Sequence, residues 1–157
     1  MEKTIDIIKY LYNKYPHPSE LSKARLVKLV YLADWKSAIT NEKQLTNIKW
    51  LYNHYGPYVE DIINEIRNDV NFEIVSGTNY LNQQKDLIKI INNTEPPLKK
   101  ETKKILDFVI LKTKDLYWEE FINLVYSTYP IIKEEKFNHL DLVRLAKEYK
   151  NTVQGGV

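Results

Sequence analysis

The chain has 157 residues, 43% of them hydrophobic and 28% charged, with a formal net charge of +2 and no cysteine. That length suits one domain, able to bury roughly 70% of the surface its unfolded form exposes, and the composition excludes disordered and fibrous classes. The missing cysteine excludes disulfides, thiolate catalysis and thiolate-bound metal, while the near-neutral charge gives no general reason to bind nucleic acid or an anionic membrane.

The first stretch, MEKTIDIIKYLYNKYP, alternates charged and apolar residues, unlike a signal peptide. No run approaches the ~20 apolar residues of a membrane helix, so the reading is a soluble, cytoplasmic protein. Ile5, Ile8, Leu11, Tyr12 and Tyr15 recur at helical spacing and predict a first helix over residues 4–14, ended by Pro16 and Pro18. A second helix is predicted over 23–38. Ser22 is placed to cap it, Leu21 to staple onto Leu26, and Leu26, Leu29, Val30 and Ala33 continue one apolar face. The polar TNEKQLT that follows reads as a loop.

Residues 48–55, IKWLYNHY, fit a strand or a short helix. Gly56-Pro57 then reads as the start of a helix over 57–68: proline at the first helical position loses no hydrogen bond, and Val59, Ile62, Ile63 and Ile66 follow at helical spacing. Glu60 and Asp61 suit the positive end of its dipole. Further on, FEIVSGTNYLNQQKDLIKII predicts two short strands, about 72–75 and 87–91, joined by a polar loop containing Gly77. After the Glu95-Pro96-Pro97 break, Ile105, Leu106, Val109 and Leu116 gather on one side of a helix predicted from Leu98 to Leu116. Another helix is predicted over 118–127, with Phe121, Ile122 and Val125 inward. STYP and a charged loop follow, then a last helix in LDLVRLAKEY and a tail over 151–157 that is expected to fray. The fold class is α+β, predominantly α-helical: a single domain over 1–150 of about six helices with a small β-hairpin.

The chemistry that composition allows is sparse. His17, His54 and His139 have no second histidine at i+3 or i+4, so no helical metal pair is present, and no metal or other cofactor is expected. Four glycines form neither a dinucleotide fingerprint nor a phosphate loop, and no serine sits in a nucleophile elbow. The protein reads as a non-enzyme. Lys99, Lys100, Lys103 and Lys104 form the wet face of a helix or, in an alternative reading, contact nucleic acid; with the hairpin they would suit a winged-helix-like DNA-binding regulator.

Three segments, KLVYLADWKSAIT (28–40), IKWLYNHYGPYVEDI (48–62) and FINLVYSTYP (121–130), occur in an order that resembles the Panacea domain, or SocA-like antitoxin domain, of bacterial and phage toxin-antitoxin systems. The resemblance rests on Lys28, Leu29, Tyr31, Ala33 and Asp34, and on Tyr55, Gly56 and Pro57. Departures are Val27 where many members have glutamine, Asn53 where they have tryptophan, with Trp50 further back, and Tyr58 where valine is usual. The resemblance implies a mostly helical fold that neutralises a cognate protein toxin by direct contact, without catalysis. Its members are paired with toxins of many unrelated kinds. Within that frame Gly56 and Pro57 are a structural turn, and His54, Tyr55 and Tyr58 are candidate anchors for the partner, since tyrosine gives a large amphipathic contact at small entropic loss. The competing expectation for Tyr55 is that it packs inward to fix the turn while Trp35 and Trp50 fill the core.

Overall fold

The computed structural model describes residues 1–18, 21–78, 81 and 84–155. Seven helices and five short strands are present among them, in the order α1 (Thr4–Lys14), α2 (Lys23–Asn41), β1 (Trp50–Asn53), β2 (Gly56–Pro57), α3 (Asp61–Arg67), β3 (Phe72–Thr78), β4 (Gln84–Ile90), α4 (Lys100–Thr113), α5 (Trp118–Tyr126), α6 (Tyr129–Lys133), β5 (His139–Leu140) and α7 (Leu142–Gly155). The fold is α+β and predominantly helical.

Helix α1 buries Ile7, Ile8, Leu11 and Tyr12, then ends where Tyr15, preceding Pro16, is held extended. The hydroxyl of Ser22 accepts from the backbone N–H of Arg25 at 3.2 Å and caps α2. This helix runs past the expected Ala38 to Asn41 and is closed by Glu42 in the left-handed conformation, φ 58°. It carries more than one apolar face. Val27, Tyr31, Leu32, Trp35 and Ala38 are buried beside Leu26, Leu29, Val30 and Ala33, because α1, α4 and α7 surround it together with the strands β2 and β4. Alongside these apolar side chains it buries Arg25, Lys28, Asp34 and Ser37.

The expected helix over 57–68 is corrected. Gly56 and Pro57 belong to β2, which folds back on β1 with Tyr52 opposite Pro57 and Asn53 opposite Gly56; α3 begins four residues later, at Asp61. A proline that tolerates the first turn of a helix tolerates a sheet edge equally well, for lack of an N–H. Here β2 is the edge of a three-stranded sheet ordered β2-β1-β5, whose other pairing sets Trp50 against Leu140. Conversely, STYP is where a helix starts: Pro130 lies in the first turn of α6. The hairpin expected at 72–91 is present and longer, with Phe72 opposite Ile90 and Thr78 opposite Gln84. It packs on α3 and α2, which supplies the support a lone hairpin lacks. Helix α4 is shorter than expected, and α7 continues to Gly155 through most of the segment expected to fray.

Candidate partner-binding face

The hairpin β1–β2 ends in a two-residue turn of His54 and Tyr55. Neither has positive φ, whereas Gly56 does, at +97°; a turn of the ordinary hand followed by a left-handed glycine is the bulged way to close such a hairpin. The side-chain oxygen of Asn53 accepts from the His54 N–H at 2.9 Å and stiffens the turn. Tyr55 points outward and is 81% exposed, so it does not fix the turn from inside. His54 meets Phe137 edge to face at 5.0 Å. Phe137 is itself 57% exposed and sits at φ 72°, unusual for a bulky residue, with its N–H donating to the Tyr52 carbonyl at 2.6 Å. Three aromatic rings therefore share one tip, His54 lying between Tyr55 at 6.4 Å and Phe137 at 5.0 Å.

Tyr58 is different. It is half-buried, its N–H donates to the Leu51 carbonyl at 3.0 Å and its hydroxyl donates to Glu60 at 3.0 Å. Burial first, and the Glu60 carboxylate second, push its hydroxyl pKa up to about 12. Between Tyr58 and the tip lies a pocket of about 260 Å³ lined by Ala24, Lys28, Asn53, His54, Tyr55 and Tyr58. Lys28 forms its base: the residue is 2% exposed, and its ammonium lies 6.0 Å from the centre of the Tyr58 ring. Desolvation lowers the lysine pKa.

The hairpin is held from below by Asp34. Its Oδ1 accepts from the N–H groups of Leu45 and Thr46 at 2.9 and 3.0 Å. Its Oδ2 accepts from the Thr46 hydroxyl at 2.6 Å, the Trp50 indole at 2.9 Å and the Gln44 amide at 3.3 Å. Burial raises the carboxyl pKa to about 6, against the pull of the hydrogen bonds from Thr46, Trp50 and Leu45. Trp50 and Trp35 are both buried, as expected, and Trp50 packs edge to face on Tyr31 at 5.5 Å.

The lysines lie elsewhere. Lys99 precedes α4, Lys100 opens it, and Lys103 pairs with Glu95 at 3.7 Å. Lys99, Lys100 and Lys104 are exposed, with Glu95 and Glu101 among them, and the Lys99 N–H donates to Glu2 at 3.1 Å. A larger groove of about 680 Å³ runs between α2, α4 and α5, past Trp35, Ile39, Phe108, Leu116 and Leu124. Lys36 and Lys112 stack on Phe108 there, at 4.3 and 5.6 Å from the ring centre. Among the described residues there is no group of three or more histidines and acids that could hold a metal, and no helix long and apolar enough to cross a membrane.

The family model described as "Antitoxin SocA-like, Panacea domain" matches residues 26–130. The chain belongs to the SocA-like antitoxin, or Panacea-domain, family. No curated protein and no solved structure gives a significant match. In this Panacea domain the two motif segments pack onto each other. Asp34 of the first binds Trp50 at the foot of the hairpin, and Lys28 lies under Gly56 of the second: a Cβ on that glycine would come within 3.8 Å of Lys28 Cε and 3.7 Å of the Tyr126 ring. Trp50 is one of the buried donors to Asp34. An acid and a lysine inside the otherwise apolar stretch LVKLVYLADW of α2 are the signal for this arrangement. For Phe137, a lone aromatic in a charged loop, the sequence carries none.

Proposed function

We propose that this Panacea domain neutralises a cognate protein toxin by direct, non-catalytic binding in the cytoplasm, through the face that carries His54, Tyr55, Tyr58 and Phe137. The observation that carries the reading is Tyr55: a large side chain left 81% exposed on a turn closed by a left-handed glycine and a side-chain hydrogen bond, at the end of a hairpin whose foot is tied to Asp34 through Trp50. Rigid exposed aromatics make good interface anchors, since they remove much apolar surface from water and lose little freedom on binding. Membership of the antitoxin family supports a toxin as the partner.

The test is to recover the protein's stoichiometric companion from its host, express it alone, and score growth. Arrest by the companion, relieved by the wild-type chain and not by Tyr55→Ala, is the expected result. A companion that is harmless alone would remove the toxin; relief by Tyr55→Ala as complete as by wild type would remove the site.

A further inference from the structure

Lys28 is an ammonium in the wrong surroundings. It projects from the second turn of α2, and among the described residues no carboxylate pairs with it and no acceptor bonds its Nζ. Glu60 accepts from the hydroxyl of Tyr58, the ring beside Lys28. Arg25, one turn earlier, shows how this helix accommodates a buried cation: its guanidinium bonds the Tyr15 hydroxyl and the carbonyls of Thr113 and Leu116, and stacks on Phe121. Lys28 has only the face of Tyr58, at 6.0 Å. The ammonium has no acceptor of its own and yet is not sealed off, so what solvent it keeps comes through the opening beside it, and an unpaired charge so nearly buried is better satisfied by a counter-charge placed there.

What faces it is a pocket open to the aromatic tip, walled by Ala24, Asn53, His54, Tyr55 and Tyr58. Its ~260 Å³ is enough for one acidic side chain and part of its backbone. We propose that the pocket accepts a single carboxylate side chain of the protein partner, an aspartate or glutamate that inserts between His54, Tyr55 and Tyr58 and pairs with the Lys28 ammonium. The inference rests on the proposed binding role of this face and names the chemistry of what binds. The partner's acid supplies the missing counter-charge, and a charge-assisted hydrogen bond is about twice as strong as a neutral one. The rings at the rim supply apolar contact on either side. Specificity follows: a partner presenting an amide instead leaves the ammonium buried and unpaired.

A random peptide library displayed against the wild-type chain and against Lys28→Met tests this without knowledge of the partner. Peptides enriched on the wild type should share an aspartate or glutamate, and changing that acid to its amide should weaken binding about tenfold or more. On Lys28→Met, which keeps the length of the side chain and removes only its charge, acid and amide should bind alike. Melting of Lys28→Met should occur at or above the wild-type temperature, because an unpaired buried charge has been removed. Tyr55→Ala, whose side chain the fold does not use, should weaken both peptides in parallel and keep the preference for the acid. Peptides with no shared acid, peptides that bind Lys28→Met with the same preference, or no enrichment at all would overturn the proposal. The growth assay decides the toxin reading separately, because neutralisation by this face does not depend on whether an acid is the group inserted.

Discussion

The indole of Trp50 donates to Oδ2 of Asp34 across 2.9 Å, and through that bond the foot of the aromatic hairpin is tied to the central helix. Four more donors, from Gln44, Leu45 and Thr46, converge on the same carboxylate. Replacing it by alanine leaves the Trp50 indole, the Thr46 hydroxyl and the N–H groups of Leu45 and Thr46 without this acceptor, at about 1–3 kcal/mol for each one that cannot reach water, while Gln44 keeps the carbonyls of Thr46 and Ile48. Asp34→Ala is therefore expected to lower stability by ~3 kcal/mol or more in chemical denaturation, and to loosen residues 44–53 in hydrogen exchange ahead of the rest of the chain.

The same carboxyl gives a pH dependence of definite sign. Its pKa is about 6 in the fold against an ordinary 3.8, so between those values the folded chain holds the proton and the unfolded chain does not. Asp34 alone thus makes stability fall as pH rises from about 4 to about 6, and flatten above. Carbon NMR should show one aspartate titrating near pH 6, and the change of stability over that window should be more negative in the wild type than in Asp34→Asn.

Gly56 sits at φ +97°, where a side chain is strained whatever the space around it. Gly56→Ala is expected to destabilise by about 1–2 kcal/mol. Since the nearest atoms to a new Cβ, on Tyr126 and Lys28, lie at 3.7–3.8 Å, the loss comes from the backbone and not from a clash. Equilibrium unfolding measures it.

Arg25 joins α2 to the end of α4 by donating to the carbonyls of Thr113 and Leu116 at 2.9 and 3.0 Å, with both its Nε and one terminal nitrogen on the Tyr15 hydroxyl. Lysine cannot make that fork. Arg25→Lys is expected to lower stability by roughly 2–3 kcal/mol, a loss that a thermal melt reads directly.

The surfaces separate by mutation. Joint replacement of Lys99, Lys100, Lys103 and Lys104 by glutamine should leave partner affinity unchanged, as should Phe108→Ala in the groove between α2, α4 and α5, whereas Phe137→Ala should weaken it. Calorimetric titration with the companion toxin makes the comparison. Tight binding of duplex DNA that weakens steeply with salt and disappears in the lysine variant would favour the regulator reading instead.

Where apolar spacing was long and local, the sequence was legible: α1, α2 and the β3–β4 hairpin stand where periodicity puts them, and Ser22 caps as its position suggests. Proline was the ambiguous letter. Pro57 and Pro130 have the same local signature, yet the first lies in an edge strand and the second opens a helix, because the deciding contact for Pro57 is pairing with Tyr52. The two-residue β5 has no period of its own and exists through Trp50 and Leu51, some ninety residues earlier in the chain. His54, Tyr55 and Tyr58 were visible as an aromatic cluster, while Phe137 joins them only through the fold. Lys28 and Asp34 were visible as motif residues, but their burial depends on α1, α4, α7 and the strands packing around α2.

The measurement closest to the central claim is the affinity of the companion toxin for Tyr55→Ala, with folding checked by thermal melting. The side chain is exposed, so stability should change by less than about 0.5 kcal/mol, and affinity should fall by about 2 kcal/mol, near thirtyfold, as for a central aromatic anchor. Unchanged affinity in a folded Tyr55→Ala chain would contradict the assignment of this face.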